Sequence, residues 1–326
     1  MANFVHLHLH SEYSLLDGAC RIKDIPARAV ECGHTAVAIT DHGNMYGVVA
    51  FYNACRAAGI KPIIGCEVYV APRSRFDKST GDGSAQHLVL LCKNETGYKN
   101  LIHIVSKAYT EGFYSKPRVD DELLEGHSEG LIALSGCLAG RVARNLNEGN
   151  YREAYAAAKK YSEIFGKENF FIELQDHGLP EQRQILPELA RIADELGLGC
   201  VATNDCHYLR REDADTQAVM MCIQTGNVIT DGRPIGFETD EFYYKSTEEM
   251  AQLFDEYPEA IENTARIAER CNFDFNFDET FLPTFDCPKG QSAVGVALSS
   301  GRMILPSSVQ RGFRIAGSVR PILSDT

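Results

Sequence analysis

A chain of 326 residues, 44% hydrophobic and 24% charged, has the composition of an ordinary globular protein; disordered and fibrous classes are excluded, and one large domain or two medium ones fit. With 32 Lys+Arg against 45 Asp+Glu the net charge is −13, which argues against a nucleic-acid module working through a basic face but not against a nucleic-acid substrate whose charge is met by metal ions. Eleven cysteines, no secretory leader in MANFVHLHLH and no apolar run of the roughly 18 residues a membrane span needs predict a reduced, cytoplasmic protein without a membrane partner.

The predicted elements alternate along the chain. Residues 4–10 (FVHLHLH) read as a strand, 24–32 as a helix stopped by Gly33, 35–40 (TAVAIT) as a buried strand, 47–58 as a helix ended by Gly59, and 61–70 (KPIIGCEVYV) as another strand. The polar, Gly/Ser-rich stretch 73–85 reads as a surface loop, with Arg73, Arg75 and Lys78 a solvated surface rather than a phosphate contact. Strand 87–92, helix 97–111, strand 131–135, helices near 138–147 and 150–165, strand 169–174, helix 181–196 and strand 200–204 follow. Helical segments at 212–223, 247–256 and 258–271 complete the pattern. Repeated β-then-α units predict an α/β fold with a parallel sheet, open or closed into a barrel. Residues 291–326 hold four Arg, one Asp and seven Ser, and so carry +3 against −16 for 1–290. That stretch reads either as a flexible tail or as the product of a frameshift or truncation.

The strongest local signal is His6, His8 and His10, which a regular strand places on one face with Val5, Leu7 and Leu9 opposite. A solvated edge strand would alternate in the same way. Metal binding is favoured because similar residues recur at the ends of later strands: Asp17 in the first turn, Asp41-His42 after TAVAIT, Glu67 in KPIIGCE, His87, Cys137 after LIALSG, and Asp205 and His207 after CVATN. Active-site groups of parallel α/β folds collect at the carboxyl ends of strands. Imidazole and carboxylate with one thiolate suit Zn, Mn or Fe, and two or three such divalent ions act as a clamp for phosphoester hydrolysis. Glu67 and Asp205 are natural bridges between ions; with His207 they are the expected catalytic groups. No phosphate-binding glycine loop, serine nucleophile elbow or dinucleotide fingerprint is present, and no stretch was read as interleaving basic and aromatic residues.

The motifs HLHLHSEYSLLDG, ITDHGN, GCEVYV and ATNDCH resemble those of the polymerase-and-histidinol-phosphatase (PHP) superfamily. KPIIGCEVYVAP, GYKNLIHIVSKAYTEGF, LIALSGCLAG and FLPTF are similar to one branch, the amino-terminal PHP domain of bacterial DNA polymerase III alpha subunits. The resemblance spans roughly residues 3–288. It implies a distorted barrel of seven βα units (core about 3–210), short helical segments over about 211–288, and an atypical tail at 289–326. It also implies a trinuclear site with His8, His10, Asp17, His42, Glu67, His87, Cys137, Asp205 and His207 as ligands, and His6 and Asp41 orienting them. The implied activity is metal-dependent 3′→5′ exonuclease proofreading on a DNA 3′ end, with other replicase subunits as partners of a full-length polymerase. The polymerase palm that should follow residue 290 is not recognisable, so a chain truncated before it, with no polymerase active site, is expected. A metal-stabilised docking module without catalysis and a histidinol-phosphate-type phosphatase are the alternatives.

Overall fold

The computed structural model describes residues 4–15, 17–79, 84–228 and 236–278. The FLPTF motif, the 289–326 tail and the middle of the 73–85 loop lie outside the described residues. Met1–Asp274 form one compact unit and Phe275–Thr326 a second; the description below concerns the first.

Among the described residues seven strands form the sheet: β1 (Ala36–Ile39), β2 (Lys61–Val70), β3 (Gln86–Cys92), β4 (Arg118–Val119), β5 (Leu131–Leu134), β6 (Phe170–Leu174) and β7 (Gly199–Ala202), in the order β1-β2-β3-β5-β6-β7 with β4 added to β2. Among the described residues ten α-helices accompany them: α1 (Ile25–Glu31), α2 (Val48–Ala57), α3 (Glu95–Thr110), α4 (Asp121–Gly126), α5 (Arg141–Asn147), α6 (Tyr151–Phe165), α7 (Pro180–Leu196), α8 (Ala214–Thr225), α9 (Thr247–Leu253) and α10 (Pro258–Arg270). The sequence reading passes over β4 and α4, which are too short to show a period.

The sheet is not wholly parallel, which corrects the sequence-based expectation. β3 runs antiparallel to both β2 and β5, while β1–β2, β5–β6 and β6–β7 are parallel. No helix lies between β2 and β3 among the described residues, so the chain returns beside β2 instead of crossing over.

Residues 4–10 depart from a regular strand. They pair only at isolated points, His6 with Val37 and Leu9 with Cys206, and so touch β1 on one side and the segment after β7 on the other. The Thr40 hydroxyl takes the place of a ladder, accepting from Leu9 N–H at 2.8 Å and donating to Leu9 C=O at 3.1 Å. Further from the mouth, α10 bonds to both neighbours: Val5 N–H donates to Thr264 Oγ1 at 3.0 Å, and Asn263 donates to the Cys200 carbonyl at 2.8 Å. A helix side thus covers backbone that a closed ladder would have paired, which is the distortion of the barrel.

The interior is filled by alternate residues of successive strands, including Ala36, Ala38, Ile63, Val89, Leu91, Ile132, Leu134, Phe171 and Val201. Val5 and Leu7 belong to this core. The same faces of β2, β3 and β7, followed to their ends at the mouth, carry Glu67, His87 and Asp205.

Candidate metal centre

All nine side chains expected as ligands meet at that mouth. His8 Nε2 lies 3.3 Å from Glu67 Oε1, 3.2 Å from Asp205 Oδ1 and 3.1 Å from His10 Nε2. His10 Nε2 is 3.0 Å from Asp205 Oδ1. His42 Nδ1 approaches Glu67 Oε2 at 2.5 Å, and its Nε2 lies 3.3 Å from Asp17 Oδ2. His87 Nδ1 is 3.0 Å from Glu67 Oε1, and Cys137 Sγ is 3.6 Å from His87 Nδ1. His207 stacks on His10 with ring centroids 4.4 Å apart. Three overlapping triads bring their ligand atoms within 4.8 Å of one another: His10–His42–His207, His8–His10–Glu67 and His42–Glu67–His87. Glu67 is shared by two of them, because β2 is the longest strand and carries it to the centre of the mouth.

Backbone strain contributes to this arrangement. Asp205 has φ of 41°, in the left-handed region that few non-glycine residues adopt. The turn is held by Asn204, which donates to the carbonyls of Glu241 and Tyr243 at 2.9 and 2.7 Å.

The fit to cations follows from the donor set. Asp17 Oδ1 is buried without a hydrogen-bond partner, a costly state for a native polar atom, while Glu67 Oε2 faces His42 Nδ1 and Asp205 Oδ1 faces the Nε2 atoms of His8 and His10. Electrostatics point the same way. Burial works against charge on Glu67, but His87 and His42 outweigh it and hold its carboxyl well below the usual range. Burial is likewise outweighed at Asp205 by His8 and His207. His42 is pushed up to about 10, burial being overcome by Glu67 and Asp17, whereas burial and then His42 and His207 push His10 down to about 3. His8 is raised well above its ordinary value, with Asp205 and Glu173 overcoming burial. A cation bound among these groups would compete with protons on His8 and His42 for the same carboxylates. Burial, then Glu67 and Asp205, raise the Cys137 thiol, so this ligand also calls for a cation to become thiolate.

Several of these imidazoles have one nitrogen engaged away from the centre. His8 Nδ1–H donates to Glu173 Oε1 at 2.6 Å, His10 Nδ1–H to Ser14 Oγ at 2.9 Å, and His207 Nδ1–H to the Asp205 carbonyl at 2.8 Å; each assignment leaves Nε2 for the centre. Asp41 acts through Ser14. Its carboxylate accepts from Ser14 Oγ at 2.8 Å and from the Ser11 amide and hydroxyl at 2.6 and 2.7 Å.

His6 does not share the face of His8 and His10. Its Nε2 meets the Lys245 carbonyl at 2.9 Å, its Nδ1 meets Cys206 Sγ at 3.3 Å, and its ring packs on Tyr244. The two-residue alternation inverts between Leu7 and His8: Val5 and Leu7 face the core, then His8 and His10 face the centre. Isolated pairing at His6 and Leu9, without a continuous ladder, permits that change of phase. Sequence reasoning also missed Glu173. The signal was a carboxylate inside the wholly buried strand Phe170–Leu174, where an unpartnered charge would be prohibitive. In the loop after β2, Arg75 pairs with Asp120 at 2.7 Å and Glu111 at 2.9 Å, so it is a structural cation.

Beside the centre is a cavity of about 300 Å³ whose lining includes Asp17, His42, His87, Cys137, Asp205 and His207 together with the apolar Leu138, Leu179, Phe237 and Phe242.

A mixed α/β fold with a curled, half-barrel sheet gathers histidines, carboxylates and one cysteine at one mouth, a donor set suited to divalent cations. The PHP domain family matches residues 6–177, more than half of the chain, and the chain belongs to that family. It is 52% identical over 288 residues to the DNA polymerase III subunit alpha of Treponema pallidum, covering 88% of this chain and 25% of that one. The same subunit of Borreliella burgdorferi is 44% identical over 297 residues, 90% of this chain and 26% of that one. The chain thus spans about a quarter of the length of these curated relatives. Among solved structures, an amidohydrolase from Chromobacterium violaceum aligns with a TM-score of 0.41 and 20% identity over 63% of this chain and 88% of that one.

Proposed function

We propose that this chain is a metal-dependent phosphodiesterase that removes nucleotides from the 3′ end of DNA. The observation that carries the reading is the convergence of His8, His10, Asp17, His42, Glu67, His87, Cys137, Asp205 and His207 at one mouth, with the buried Asp17 Oδ1 left without a hydrogen-bond partner. Two or three divalent ions held there, Zn, Mn or Fe, supply Lewis acidity toward a phosphoryl oxygen and lower the pKa of water. Glu67 and Asp205 place negative charge between the histidine pairs. His207, its Nδ1–H held by the Asp205 carbonyl, keeps Nε2 toward the centre, where it would help hold a cation. Leu138, Leu179, Phe237 and Phe242 exclude water from one side of the reacting group. DNA as the substrate, and other replicase subunits as partners, are supported by the relatives being DNA polymerase subunits.

The test is release of nucleotides from a mispaired 3′ primer end with Mn²⁺ or Zn²⁺, comparing the protein with Asp205→Asn. The expected loss is at least a hundredfold. Equal rates, or metal binding that stabilises the fold without any cleavage, would leave the centre a structural one.

A further inference from the structure

Next to the centre, on the side of His42 and His87, the surface carries aromatic rings that the chemistry above does not use. Tyr46, four residues beyond His42, is 61% exposed; Tyr109 at the end of α3 is 38% exposed, and Phe113 just after it 51%. Burial, and then the neighbouring Tyr46 side chain, raise the Tyr109 hydroxyl above its ordinary value, so the two tyrosines are close. Tyr109 and Phe113 lie nearly parallel at 24° with centroids 6.3 Å apart.

A cation sits at the inner edge of this group. Lys116 Nζ lies 5.0 Å over the Tyr69 ring and 3.4 Å from its hydroxyl. Tyr69 in turn packs on His42 and His87, with centroids 5.9 and 5.2 Å apart. The cation is therefore continuous with the candidate centre through one buried tyrosine.

The loop that presents them is built to hold one shape. Ser115 has φ of 60°, the left-handed region, and Tyr114 N–H closes the turn onto the Lys116 carbonyl at 3.0 Å. Buried Arg118 donates to the Gly112 carbonyl at 3.1 Å and to the Asp77 carbonyl at 2.8 Å. A side chain on Gly112 would meet the Arg118 carbonyl at 1.8 Å, so this close approach needs glycine. Strain and buried tethers spent on a solvent-facing loop are a mark of function. The segment 109–118 places Tyr109, Phe113 and Tyr114 ahead of Lys116 without interleaving them, and the fold adds Tyr46 from another loop.

We infer that Tyr46, Tyr109, Phe113 and Lys116 form the platform on which a single-stranded polynucleotide lies as its end reaches the metal centre, the bases stacking on the rings and Lys116 meeting a backbone phosphate. Flat, exposed rings are sequence-tolerant partners for bases, and a cation beside them tracks the backbone. The occupant is a polyanion because the patch combines rings with a cation and leads to a centre shaped for phosphoesters. The inference rests on the proposed function for the strand's destination, but its test reads binding and not turnover.

The chain contains no tryptophan, so Phe113→Trp installs a single reporter. Titrating the metal-loaded variant with an oligothymidylate of phosphorothioate linkages, which resist cleavage, is expected to quench its emission saturably and less strongly as salt rises. Tyr46→Ser with Phe113→Ser is expected to weaken binding of the labelled oligonucleotide, read by anisotropy, at least fivefold while the circular dichroism is retained. Lys116→Gln is expected to reduce the salt slope by about one. Unchanged tryptophan emission overturns the inference, whether the oligonucleotide binds elsewhere or not at all. Quenching that depends on protein concentration without oligonucleotide also overturns it, making the face a contact between copies. A protein that binds and quenches but never cleaves keeps the platform and removes the proposed function; one that cleaves without quenching does the reverse.

Discussion

Glu173 and His8, 165 residues apart in sequence, meet at 2.6 Å between two fully buried side chains. Glu173 Oε1 also accepts from Gln175 at 2.9 Å and from the Thr203 hydroxyl, and its Oε2 accepts the Gly136 amide at 2.9 Å. The carboxylate thus ties β6 to the turns after β5 and β7 and fixes which nitrogen of His8 faces the centre.

Glu173→Gln is expected to lower metal affinity about 10–100-fold. An amide in this position turns its NH₂ toward either the Gly136 amide or the donors at Oε1, so one buried donor loses its acceptor. Competition with a chromogenic chelator measures the affinity; an unchanged value would mean that His8 needs no partner.

Metal removal is expected to lower thermal stability. Glu67, Asp17 and Asp205 are held among histidines at about 3 Å, and any cation that binds the folded chain alone stabilises it by mass action, by roughly 3 kcal/mol at a hundredfold excess over Kd. Differential scanning fluorimetry with chelator against Zn²⁺ or Mn²⁺ reads the shift. Asp205→Asn should reduce it.

Gly97→Ala is expected to destabilise the fold by about 1–3 kcal/mol, the usual cost of forcing atoms into a packed site. A methyl there would stand 1.9 Å from the Gly130 carbonyl oxygen, against backbone that cannot swing away. Urea unfolding measures it. Gly126→Ala, where the added carbon meets nothing, is the control.

Acid should destabilise the protein through His34. Burial, aided by Arg28 against the opposing pull of Glu248, lowers its pKa to about 4 from an unfolded value of 6.5. Below pH 6.5 the unfolded chain takes a proton that the folded one refuses, so this contribution is intact above pH 6.5 and is lost as pH falls toward 4. The loss is roughly 3 kcal/mol at about 1.4 kcal/mol per unit. His34 bonds Tyr244 at 2.9 Å and Thr247 at 3.1 Å, bonds that glutamine can approximate. His34→Gln should flatten the dependence of urea midpoint on pH between 6.5 and 4.

The bounds of β2 read directly from its residues, and the nine side chains gathered at the mouth were legible as candidates because most of them stand within or next to a short apolar run. That signal is local: a run of buried residues predicts the strand, and a polar residue closing it is conspicuous. The antiparallel β3 was not legible, since a strand's direction depends on how the chain returns to the sheet. His6 was misplaced for a related reason. Alternation assumes a continuous ladder, and residues 4–10 have only two isolated pairings.

By itself the sequence determined which residues have the chemistry to hold cations and roughly where along the chain they stand, because residue type and hydrophobic period are properties of short segments. Tertiary structure decided which imidazole nitrogens face the centre, that Glu173 and Ser14 orient them, that His6 turns away, and that Tyr46 joins Tyr109 and Phe113 on one surface. Those relationships are made across tens to hundreds of residues by hydrogen bonds and packing, and they exist only once the barrel has brought the strand ends together.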